Sequence, residues 1–211
     1  MKRLFALLLM ASIAMSALAE QRFKSIDEYY EAVGATEHRP HAADRANANG
    51  RLVVGLLQVW PTPEEPKAIV FVTQESPAGE IAEVERSKPF DFGDGGARTY
   101  VSSVEAQSNS RFAIQISYQG ACLPSSDEYS FSMQNKSWVV SGRDSTRYRC
   151  PEYDQNVGDT RTEISSNFLT GRIITREFKQ DKLTKRTIKH KAFKKLLLRD
   201  FDPLQETYGP R

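Results

Sequence analysis

The chain has 211 residues, 29 Lys or Arg against 27 Asp or Glu, and a formal charge of +2, with 39% of its residues hydrophobic. That length supports one sizeable core, and the balance is neither that of a disordered acidic tail nor that of a polybasic nucleic-acid binder. After residue 19 no stretch reaches the roughly 20 apolar residues that a spanning helix needs, so no transmembrane segment is expected in the mature chain.

Met1-Lys2-Arg3, a short apolar run and the small-residue site Ala17-Leu18-Ala19 read as an export signal cleaved after Ala19. The mature protein is then periplasmic or secreted, and the form of the signal suggests a bacterium. Two cysteines remain, Cys122 and Cys150. In an oxidising compartment they read as one disulfide bond, worth roughly 3–4 kcal/mol if unstrained.

Residues 25–34 predict a helix. Ser25-Ile26-Asp27-Glu28 has the form of a capping box, and Ile26, Tyr29, Tyr30 and Val33 share one helical face. Residues 35–50 are polar and predict a loop, so residues 20–50 are expected as a helix plus a flexible arm. Residues 51–211 are expected as a single β-rich domain.

Residues 52–60 are apolar at both parities, as in a strand covered on both faces. Prolines 61, 63 and 66 should break it before a second strand at 68–73. Short strands are expected at 81–84 and 98–105. At 111–118, Phe112, Ile114, Ile116 and Tyr118 alternate with smaller residues. A hairpin should turn at Asn135-Lys136, with Tyr129, Phe131 and Met133 on one arm and Trp138 and Val140 on the other. Further strands are expected at 163–169, 172–178 and 183–188. Phe193, Leu196, Leu197 and Phe201 predict a C-terminal amphipathic helix. The expected fold is mainly β (α+β): an antiparallel meander, sandwich-like, with a short N-terminal helix and a C-terminal amphipathic helix.

The charge is uneven. From Arg172 to Arg199 there are eleven Lys or Arg against only Glu177 and Asp181. Such a basic end suits an envelope protein or an anionic cell-envelope polymer, or else neutralises the acidic remainder of the fold. Nucleic acid is not an expected partner. The sequence contains no G-x-S-x-G, no H-E-x-x-H and no thiol–His pairing, so no catalytic residues are assigned. His38, His41 and Asp44 have ligand chemistry, but Pro40 between the histidines spoils helical alignment. Asp91 and Asp94 flank glycines without the EF-hand spacing. No metal and no cofactor is therefore expected.

The binding residues predicted are Arg143, Asp144, Arg147 and Tyr148, then Arg172, Arg176, Lys185 and Arg186 on the basic meander. Ser141-Gly142 followed by Tyr148 resembles, in residue type, the recognition loop of small periplasmic lysozyme inhibitors. The spacing from Gly142 to Tyr148 is longer than in that motif, so no role is carried over. The expected function is non-enzymatic binding; the alternatives are an enzyme acting on wall or carbohydrate material and an envelope assembly factor.

Overall fold

The computed structural model describes residues 21–37, 41–43, 50–62, 65–91, 98–119, 125–149 and 160–203. The predicted signal at 1–19, Cys122, Cys150, His38, Asp44 and Asp94 lie outside the described residues. The described residues are mostly β, with antiparallel sheets and one short α-helix.

The first sheet uses β1 (Arg22–Phe23), β2 (Ala35–Glu37), β3 (His41–Ala43), β4 (Arg51–Thr62), β5 (Glu65–Glu75), β6 (Ile81–Arg86) and β7 (Phe90–Asp91). Its order is β1-β6-β5-β4-β2, with β3 also on β4 and β7 also on β5. Residues 35–50 were expected as a loop. Instead β2 and β3 extend the ladder of β4, which answers backbone groups that a loop would leave to water.

Helix α1 (Ile26–Ala32) begins at the Ser25 cap that the sequence predicts, with Glu28 reaching back one residue beyond it. The Ser25 hydroxyl accepts the Glu28 N–H at 3.2 Å, and the Glu28 carboxylate accepts the Lys24 N–H at 2.6 Å. The helix buries Tyr29 and Tyr30 against Phe23, Val53, Leu57, Phe71 and Ile81. Leu52, Val54 and Leu56 of β4 point the other way, into the core shared with the second sheet. This explains the uninterrupted apolar run in β4: odd and even positions serve different layers. The prolines do not end the strands. Pro61 lies within β4 and Pro66 within β5, at the hairpin end, where the register shifts between Val59 and Thr62.

The second sheet is a sequential meander of β8 (Arg98–Ser108), β9 (Arg111–Gln119), β10 (Ser125–Gln134), β11 (Ser137–Arg149), β12 (Thr160–Asn167), β13 (Arg172–Lys179) and β14 (Lys182–His190). Asn135-Lys136 and Gln180-Asp181 turn two of its hairpins with positive φ at both residues, 51° and 63° and then 49° and 59°. Those values match the twist of the strands they join. Gly171 turns β12 into β13 at φ 75°, where a Cβ would stand 2.5 Å from the carbonyl oxygen of Lys191.

Between the sheets lie Phe112, Ile114, Ile116, Tyr129, Phe131, Trp138 and Val140, facing Leu52, Val54, Leu56, Val70 and Phe90. Phe112 stacks on Phe131 at 4.4 Å between centroids and meets Trp138 edge-on at 5.0 Å.

The predicted C-terminal amphipathic helix is absent. A strap runs from β14 back to β11, and only Leu198–Asp200 forms a 3-10 turn. The reason lies in β11. Strand β12 pairs with it only from Gly142 onward and Phe168 N–H donates to Ser141 O, which leaves the edge at 137–140 open. The strap fills part of that edge: Val140 N–H donates to Leu196 O at 3.0 Å, and Val139 bridges Leu197. The strap also delivers Phe201 into the core. Helical spacing of the apolar residues yields to these tertiary partners.

Candidate functional site

Strand β11 determines where the predicted binding residues point. Trp138 and Val140 face the core. The register against β10 then shifts: Phe131 pairs with Val140 but Ser130 with Gly142, so Ser141 is an extra residue. Beyond it the inward positions change parity and become Arg143, Ser145 and Arg147. Segment 141–148 is continuous strand.

Arg143 and Arg147 converge on Asp127 of β10, which is 2% exposed. Arg143 donates from Nε and Nη2 to its two oxygens at 3.1 Å each. Arg147 Nη2 reaches both oxygens at 2.8 and 2.7 Å, and the Ser145 hydroxyl donates to Oδ1 at 2.5 Å. Burial pushes the Asp127 carboxyl up, but the Arg147 hydrogen bond and the Arg143 charge outweigh it and hold the acid below its ordinary range. Arg147 also donates to the carbonyls of Ser126 and Thr146, and Arg143 lies over the Tyr129 ring, 5.7 Å from its centroid. Two predicted binding residues thus form an internal clamp. Asp127 was not among the binding residues predicted. Its phase was informative: it lies two residues before Tyr129 and four before Phe131, on the buried parity of β10.

Asp144 and Tyr148 alternate with the clamp residues, so strand geometry turns them to the opposite face of the sheet. The four predicted residues therefore divide two and two. Asp144 stands directly opposite Glu128 in the ladder. Burial, then the charges of Asp144 and Glu105, push the Glu128 carboxyl above its ordinary value. A raised carboxylate value means that the ionised form costs stability, and that this cost is relieved as pH falls. Glu128→Gln should therefore stabilise the protein at pH 7 by about 0.5 kcal/mol or less, because a half-exposed pair is screened. The gain should shrink at acidic pH, as read from urea midpoints.

The remaining predicted residues lie on β13 and β14. By register, Arg172, Arg176 and Arg186 share the outer face with Ile174, Phe178, Ile188 and His190, while Lys185 faces inward beside Glu177. Lys185 pairs with Glu177 at 3.1 Å. Arg176 reaches Glu163 only at 3.9 Å, and that acid also serves Arg161 at 3.1 Å. Arg176 and Arg186 stand directly opposite one another. Eight of the nine positions of β14 are exposed, including Leu183 at 53% and Ile188 at 46%. Among the described residues Arg172, Lys182, Arg186 and Lys189 have no acidic partner.

One cavity adjoins these strands and another adjoins the strap. The first, about 540 Å³, lies among Arg147, Tyr148, Arg161, Glu177 and Phe178. The other, about 620 Å³, lies under the strap between Lys88, Phe168, Phe193, Lys194 and Phe201. Among the described residues no group of three or more His, Cys, Asp or Glu is placed to hold a metal ion. Asp91, one of the acids weighed for calcium, is paired with Lys67. His41 lies in β3.

No protein-family model, no curated protein and no solved structure matches this chain.

Proposed function

We propose that the protein is an exported, disulfide-tied, non-enzymatic binding protein of the periplasm that docks an anionic partner on the flap formed by β12, β13 and β14. The observation that carries this reading is the basic, doubly exposed β14 with Arg186 set opposite Arg176. Like charges placed opposite in a ladder destabilise it. An anion spanning the two guanidiniums would relieve that repulsion, and Arg presents a fork suited to carboxylate or phosphate. The export half rests on the pattern of residues 1–19 and on the cysteine pair. The partner is an envelope protein or an anionic envelope polymer.

The test uses the full mature chain and poly-glutamate as probe, read by fluorescence anisotropy at two salt concentrations. Arg186→Glu with Lys189→Glu should weaken binding roughly tenfold or more and flatten its salt dependence. Both residues are exposed, so the fold should survive, as far-ultraviolet circular dichroism will verify. Unchanged affinity in a folded variant would remove the flap from the function.

A further inference from the structure

We infer that β14 takes up one more strand at the edge that no described strand pairs with: an extended acidic segment of another protein, laid along Lys182–His190. The inference rests on the reading of the flap as an anion-docking surface and adds the mode and the occupant.

Strand β14 ends the sheet order, with β13 as its neighbour there. Its nine residues offer an edge of roughly 30 Å at about 3.3 Å per residue. The opposite end of the same sheet differs, because β8 packs beside β3 and β4 of the first sheet. An edge strand carries backbone donors and acceptors on its open side, and extended peptides bind such edges by continuing the ladder. The tight Gln180-Asp181 turn preforms β14, which lowers the ordering cost for an incoming strand.

Charge selects the occupant. The strand holds Lys182, Lys185, Arg186, Lys189 and His190 and no acid. A second copy laid antiparallel along the same edge would bring cations against cations, so self-pairing is opposed. The lysines that keep identical edges apart also favour a strand of opposite sign. Exposed Leu183 and Ile188 alternate with that charge on the outer face and give apolar purchase to a partner that alternates likewise.

The probe is an acetylated, amidated nonapeptide alternating Glu and Thr, titrated against the intact mature protein. It is compared with two versions N-methylated on odd or on even residues. Methylation keeps the charge but removes the ladder donors of one edge. The unmodified peptide should bind, one methylated version should bind at least tenfold more weakly, and β14 amides should gain protection from hydrogen exchange. Equal binding of all three overturns strand addition while leaving the anion-docking flap standing. Failure of all three to bind overturns both.

Discussion

Replacing Asp127 with alanine should lower stability at pH 7 by about 3–5 kcal/mol, the range for breaking a buried ion pair from one side. The substitution strands two guanidiniums, of which Arg143 is only 20% exposed, beside a core of rings. It also removes the acceptor of the Ser145 hydroxyl. Asp127→Asn, which keeps the shape, should still destabilise, because a neutral amide cannot answer two cations. The pH dependence has a definite sign. The native acid lies below its ordinary value of 3.8, so its contribution is complete above that value and is lost as pH falls through the lowered native one. The gap between wild type and Asp127→Ala in urea unfolding should therefore be widest at neutral pH and narrow in acid. A gap that stayed constant into acid would mean that the clamp acts by packing rather than by charge.

Phe201→Ala should cost a similar amount, about 3–5 kcal/mol. The ring is 1% exposed and touches both sheets: Phe90 of the first at 5.6 Å, and Tyr129 and Phe131 of the second at 5.0 and 5.1 Å. Truncation leaves a cavity that neither sheet can close alone, because each is held by its own ladder. Loosening should extend to the strap bonds at Leu196 and Leu197, so the Val140 amide should exchange faster in the variant. Urea unfolding with hydrogen exchange measures both. A mild loss with the Val140 amide still protected would show that the ladder, not the ring, holds the strap.

The meander was readable because its signals are local. Strand β9 alternates strictly at Phe112, Ile114 and Ile116, and Asn135 opens the turn with a residue that tolerates left-handed backbone. The helix announced itself through Ser25 and Glu28. The missed features depend on what lies far away in the chain. Nothing between Phe193 and Phe201 tells that β11 has an open edge waiting for an extended partner, so the helical spacing misled. The clamp was hidden for a related reason: Arg143 and Arg147 look like surface cations until Ser141 is counted as an extra residue. Their grouping with Asp144 and Tyr148 ignored strand alternation, which was available. The basic charge of the last strands was plain in the sequence. Its concentration on a terminal, doubly exposed strand follows only from strand order.

The additional residue at Ser141 makes β11 a strand of two phases, apolar toward the interior before it and ionic after it. Such a strand can absorb substitutions but not a further insertion. Gaining one residue there, with no second bulge to absorb it, would swing Arg143 and Arg147 out to solvent and turn Asp144 inward onto Asp127, acid against acid, whereas losing Ser141 would leave an unbroken ladder with Arg143 still opposite Tyr129. Growth along this stretch is thus constrained more tightly than composition, because the one bulge already takes up the only residue the ladder leaves unpaired there.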